Sequence, residues 1–135
     1  MNEVRGACHC GAVSYQCQSG PLAVVNCHCS LCRRMSGAAF STYAVVGQDQ
    51  LAVENKTALS AFRMTDKVTR HFCSSCGTPV YNVNPADYPG VAMIYLGTLA
   101  NPEKMTPPVN VFASSRLDWV NNLAELRSYP HDMTE

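Results

Sequence analysis

The chain reads as an all-β protein, a small single domain stapled by metal. Three observations predict this. Short stretches alternate apolar and polar residues with period two, turn-rich segments separate them, and the cysteines fall into tight clusters. Helix-period patterning is scarce.

Taken in order, Val13, Tyr15 and Cys17 alternate with polar neighbours, as in a half-buried strand. A short turn follows the cysteines at 27–32. Phe40, Thr42, Ala44 and Val46 then alternate with Ser41, Tyr43 and Val45, ending in a turn at 47–50. LAVEN at 51–55 is a further strand. LSAFRM and KVTRHF form a hairpin across Thr65 and Asp66. PVYNV, VAMIYLGTL and VNVFA supply the remaining strands. The loops NPADYPG at 84–90 and NPEKMTPP at 101–108 are rich in turn residues and belong on the surface. LDWVNNLAELRSY at 117–129 is expected to form one helix with no clear capping residue. Trp119 is expected to pack that segment over the sheet.

With 135 residues and no linker or repeat, one domain over 1–135 is expected. Ten basic and ten acidic residues cancel, so no basic field exists to hold a nucleic acid backbone. The opening MNEVRGACHCG has no apolar stretch of the kind a secretion signal needs, and the apolar run at 91–99 is too short to span a bilayer. These features predict a cytoplasmic protein, where thiols stay reduced. Clustered cysteines then read as metal ligands or redox centres rather than disulfides.

Seven of the eight cysteines form three clusters: Cys8 and Cys10 in CHCG, Cys27, Cys29 and Cys32 in CHCSLC, and Cys73 and Cys76 in CSSCG. The two pairs sum to one closed four-thiolate zinc site. Gly11 and Gly77 follow the pairs directly and are expected to turn the backbone so that N–H groups face the sulfurs. A triplet does not close. In an extended segment Cys27 and Cys29 face one side and His28 the other, and a turn through Ser30 and Leu31 returns Cys32. A zinc held by three thiolates keeps a position for water, a substrate thiolate or a protein group, and acts there as a Lewis acid. Alternatively Cys17 or a histidine completes a second closed site. Arg33 and Arg34 follow the triplet and would offset its charge or attract an anionic ligand.

GACHCGAVSYQC, CHCSLCRRMSGAAFSTYAVV, FCSSCGTPVY and the later GTL with Trp119 together resemble the glutathione-dependent formaldehyde-activating enzyme family, which includes the centromere protein V domain. The match runs from about Gly6 to Trp119, leaving a tail at 120–135. The resemblance implies a compact β-tent fold with two zinc ions, related to B-class methionine sulfoxide reductases. It implies a structural zinc on Cys8, Cys10, Cys73 and Cys76, and a catalytic one on Cys27, Cys29 and Cys32. The implied activity is that of a carbon–sulfur lyase interconverting glutathione plus formaldehyde with S-hydroxymethylglutathione, or acting on a related thiol and aldehyde. Arg33 or Arg34 would hold a carboxylate of that thiol. One departure stands out: many members carry a histidine where this chain has Asn110.

Other residues carry less. Cys17 fits a buried strand position. His9 and His28 sit between ligands and are expected to point away, exposed or hydrogen-bonded, with His28 as a possible lining of the open site. His71 is expected to face the surface beside Phe72. A non-enzymatic zinc-stapled binding module is the rival reading. A methionine sulfoxide reductase needs a nucleophilic cysteine late in the chain, and none follows Cys76.

Overall fold

The computed structural model describes residues 3–134. Ten strands dominate: β1 (Val4–Ala7), β2 (Ser14–Cys17), β3 (Ala23–Cys27), β4 (Ser41–Gly47), β5 (Leu51–Glu54), β6 (Leu59–Arg63), β7 (Thr69–Cys73), β8 (Pro79–Val83), β9 (Val91–Tyr95) and β10 (Val109–Val111). Among the described residues one α-helix, α1 (Ser30–Ser36), and short 3-10 turns complete the chain.

The strands make two sheets. One has the order β1-β2-β5, the other β10-β3-β4-β9-β8-β7-β6. Pairing is antiparallel throughout except that β10 lies parallel to β3, with Val111 opposite Cys27. The predicted hairpin at 59–73 is present as β6 and β7, with Leu59 opposite Cys73.

β4 explains the layering. It sits between β3 and β9, and both of its faces are covered. Ala44 and Val46, with Ala92 and Ile94 of β9, join a core containing Val4, Val13, Cys8 and Cys73. Tyr43 and Val45, with Met93 and Tyr95, join a second cluster containing Cys27, Cys32 and Met35. Because side chains alternate along a strand, one sheet thus assigns each cysteine cluster its own face. Ile94, Val46 and Val80 are fully buried, each worth roughly 1.5–3 kcal/mol relative to exposure.

Two expectations are corrected, and two strands are added. Residues 118–125 form 3-10 turns broken at Asn122, not a helix over 117–129; no side chain caps the start, and two adjacent asparagines are poor helix formers. Trp119 is 53% exposed, so it does not close the segment over the sheet. β1 and β3 are strands that the alternation pattern does not single out.

Candidate functional site

The first site is built where β1, β7 and the turns after them meet. The sulfurs of Cys8, Cys10, Cys73 and Cys76 converge, all within 4.8 Å of one another. Cys8 Sγ lies 3.7 Å from Cys10 Sγ, and Cys10 Sγ lies 3.7 Å from Cys73 Sγ. Tetrahedral zinc–sulfur bonds of about 2.3 Å place sulfurs about 3.8 Å apart, so this donor set fits a metal ion as it stands.

Gly11 and Gly77 adopt φ of 81° and 79°, the left-handed turn that glycine tolerates. Their N–H groups close onto the carbonyls of Cys8 and Cys73 rather than onto sulfur. The sulfurs take their bonds from neighbours instead: Val13 N–H donates to Cys8 Sγ, and Cys76 N–H to Cys73 Sγ. The Thr78 hydroxyl lies 3.1 Å from Cys76 Sγ and, with backbone N–H groups, lowers that thiol's pKa to about 5. The shift favours the thiolate, which is the form that ligates metal. Cys10 in the same cluster, against a backbone hydrogen bond that lowers it, is pushed up to about 11 by burial and its neighbouring thiols.

The second site is built by β3 and α1. Cys27 ends β3, Cys29 is the N-cap of α1, and Cys32 lies in its first turn. The Cys29 sulfur accepts from the Cys32 N–H at 3.2 Å, so the capping bond itself fixes the spacing of two of the three thiols. Gly37, at φ 70°, caps the other end.

The three sulfurs pack tightly, with Cys29 to Cys32 at 2.9 Å and Cys32 to Cys27 at 3.2 Å. They would spread by more than half an ångström to reach the spacing of about 3.8 Å around zinc. Hydrogen bonding from Cys32 lowers the Cys27 pKa to about 6 against the opposing effect of burial, while the same contact pushes Cys32 up. Tyr43 packs in the same buried cluster as Cys32, and burial raises that tyrosine's pKa, so it keeps its proton. Asn82 Nδ2 donates to the Tyr43 oxygen at 3.2 Å, and Tyr95 donates to Asn82 Oδ1 at 3.1 Å. These three polar side chains form a linked set on the same sheet face as the triplet. Sequence reading missed them, because each looks like an ordinary strand position.

His28 projects away from the sulfurs, as alternation predicts, and of the two settings expected, exposed or hydrogen-bonded, it takes the second, in a buried position. Its ring lies 5.1 Å from that of Phe40, and its Nε2 is 3.0 Å from Asn110 Oδ1. His28 is not among the residues lining the cavity beside the triplet. His71 is half-buried and stacks on Tyr81 at 4.4 Å. Cys17 is fully buried, and its thiol pKa is raised by that burial.

A cavity of about 340 Å³ opens beside the triplet, and all three cysteines line it. Neither arginine does. Arg33 Nη1 instead donates to the carbonyls of His28 at 2.9 Å and Ser115 at 2.8 Å, tying the triplet loop to the turn after β10. Arg34 is exposed. Among the described residues, the metal-ligating types at the triplet stop at three, and no helix is long and apolar enough to cross a membrane.

Comparison with known proteins agrees with this arrangement. The family model described as glutathione-dependent formaldehyde-activating enzyme matches residues 3–115. A curated Halomonas elongata protein is 27% identical over 125 residues, covering 87% of this chain and 79% of its own length; its name assigns it provisionally to the glutathione-dependent formaldehyde-activating enzymes. A Fusarium vanettenii protein with the same provisional name is 28% identical over 120 residues, covering 80% of this chain and 64% of its own length. The crystal structure of a Rhodobacter sphaeroides protein superposes with a TM-score of 0.63 at 23% identity, over 79% of this chain and 99% of that one, and so shares the fold. The fold, the two cysteine clusters and a match spanning most of the sequence together establish that the chain belongs to the glutathione-dependent formaldehyde-activating enzyme family.

Proposed function

We propose that the chain is a zinc-dependent carbon–sulfur lyase acting on thiol–aldehyde adducts, with glutathione and formaldehyde as the reference pair. One observation carries the reading: the second cysteine cluster has three sulfurs rather than four, and all three line a cavity large enough for a small molecule. In this reading Cys8, Cys10, Cys73 and Cys76 hold a structural zinc, and Cys27, Cys29 and Cys32 hold a second one. Zinc at the triplet supplies Lewis acidity, which favours the thiolate form of a thiol and polarises a carbonyl.

The chain's own residues supply the rest. The Cys29 cap fixes Cys29 and Cys32 relative to each other, and Tyr43 packs against the same cluster. The largely apolar walls lower the local polarity, which strengthens electrostatic effects at the reacting atoms. In the forward step the thiol sulfur bonds to the carbonyl carbon, the C=O π pair moves to oxygen, and the thiol proton ends on that oxygen. The reverse step breaks the C–S bond and returns the proton to sulfur.

Three finer points belong to the same reading. We treat residues 1–135 as one domain, related in fold to B-class methionine sulfoxide reductases, on the support of the β architecture and the four-cysteine staple. Eight free cysteines support a reducing, cytoplasmic setting. Arg33 or Arg34 as the holder of a substrate carboxylate remains part of this proposal; Arg33 Nη1 is bonded to two carbonyls, and Nη2 is the group it would offer.

Magnetisation-exchange NMR on a panel of small thiol–aldehyde pairs, with protein carrying two zinc ions, tests the proposal. Exchange faster than the uncatalysed rate for at least one pair is expected. No acceleration for any pair would return the chain to the rival reading of a zinc-stapled binding module.

A further inference from the structure

The chemistry of the cavity walls does not match a charged tripeptide. Val25, Val45, Val68, Met35, Met93 and Phe112 surround the space next to the sulfurs, on strands and turns drawn from both ends of the sheet. Apart from the sulfurs and Tyr43, its polar lining is Asn82, Asn84, Asp87 and Tyr88. Asn82 is spent between two tyrosines, and Asn84 Oδ1 accepts the N–H of Asp87 while its Nδ2 donates to the Asp87 carboxylate at 3.4 Å.

Charge tells the same story. Among the described residues the lining contains no lysine or arginine. Its one carboxylate, Asp87, is paired with Lys67 at 3.4 Å. Glutathione carries two carboxylates and one ammonium, and this lining offers its carboxylates no cation. A hydrocarbon group, by contrast, leaves water and meets valine and methionine side chains, which adapt to irregular shapes.

The mouth has a further feature. Phe112 lines the cavity, remains 54% exposed, and sits at φ 53°, a left-handed backbone that a bulky residue adopts only when its surroundings hold it there. The Ser115 carbonyl three residues on is fastened by Arg33. An aromatic ring is therefore held at the entrance at a conformational cost.

Resting on the thiol–aldehyde reading above, we propose that the cavity beside Cys27, Cys29 and Cys32 binds an alkyl or aryl group of the adduct. The preferred substrate pair then carries a hydrocarbon substituent on the aldehyde or on the thiol. The bond changes are those already given, with the substituent taking no part in them.

Three pairs test this by exchange NMR on two-zinc protein: glutathione with formaldehyde, glutathione with benzaldehyde, and benzyl mercaptan with formaldehyde. Each enhancement is measured over that pair's own uncatalysed rate. At least one benzyl-bearing or phenyl-bearing pair is expected to exceed glutathione–formaldehyde by tenfold or more, and the arm that does so identifies which reactant carries the group. If neither reaches tenfold, the proposal is overturned while the lyase reading stands. If no pair is accelerated, the lyase reading fails, and binding decides the cavity alone. Benzyl alcohol, an unreactive probe, is then titrated into protein labelled at methionine methyls. Saturable shifts at Met35 and Met93, abolished by Val45→Phe, support an aryl-binding cavity; unshifted resonances overturn it.

Discussion

The Nε2 of His28 lies 3.0 Å from the Oδ1 of Asn110, joining the buried residue between two cysteines of the triplet to strand β10. Asn26 Nδ2 donates to the same oxygen at 3.3 Å, and the Thr42 hydroxyl donates to Asn26 Oδ1 at 2.6 Å. Since Asn110 Oδ1 accepts, the network assigns the imidazole proton to Nε2. Asn110 therefore braces the site from outside the cavity.

Asn110→Ala should leave that buried donor unpaired. A stability loss of about 1–2 kcal/mol is expected, a fall of several degrees in Tm by calorimetry. Asn110→Gln, which can still present an amide oxygen, should lose less. Equal Tm for Asn110→Ala and wild type would show that the pair contributes nothing.

Cys29 has two separable duties, capping α1 and lining the cavity with a thiol. Cys29→Ser keeps an N-cap oxygen, whereas Cys29→Ala removes the cap as well. Both variants should bind one zinc per chain where wild type binds two. After chelation has equalised the metal, Cys29→Ala should be less stable than Cys29→Ser by about 1 kcal/mol. Two tightly held zinc ions in Cys29→Ala would contradict the ligand assignment.

Tyr15 should make the fold sensitive to alkali. Burial, opposed by the hydroxyl's bond to Thr98, pushes its pKa from 10.0 up to about 12. The folded state then keeps a proton that the unfolded state releases, so this stability is fully present below pH 10.0 and is lost as pH rises through about 12. One such group contributes a slope of about 1.4 kcal/mol per pH unit within that window. Denaturant titrations from pH 9 upward should show the slope in wild type and a shallower one in Tyr15→Phe.

Gly6 admits no side chain. A Cβ there would overlap the Thr98 carbonyl oxygen and the Tyr15 phenol, at the point where Gly6 bridges to Leu99. Because one obstacle is backbone, relief requires moving β1 or the turn at 96–98. Gly6→Ala should cost about 1–3 kcal/mol and lower Tm, whereas Gly47→Ala, with a looser neighbourhood, should cost less.

How far the sequence carried depended on the range of each interaction. The strands at 14–17 and 41–47 and the hairpin at 59–73 announce themselves through alternation and local turns. Both cysteine groupings follow from spacing within each cluster and the arithmetic of ligands. β1 and β3 were hidden because Gly6 and the near-uniform AVV stretch break the alternating signal. The tyrosine–asparagine set was hidden too, since Tyr43, Asn82 and Tyr95 meet only through sheet register. The cavity has no local signature at all. Its walls run from Val25 to Phe112, and only the folded sheet brings them together. The reach of Arg33 to the Ser115 carbonyl was equally hidden, because adjacency to the triplet says nothing of where a long side chain extends.

The parallel pairing of β10 with β3 sets the order in which the site can be completed. While the ribosome is still making residue 100, β3 can already pair with β4, but its other edge, ending at Cys27, has no strand beside it. The rear support of His28, the anchor for Arg33 and two residues of the cavity wall all arrive with residues 110–115. A nascent chain or a fragment stopping short of Val109 would carry the cysteine triplet on a bare sheet edge, open to oxidation and to pairing with other strands.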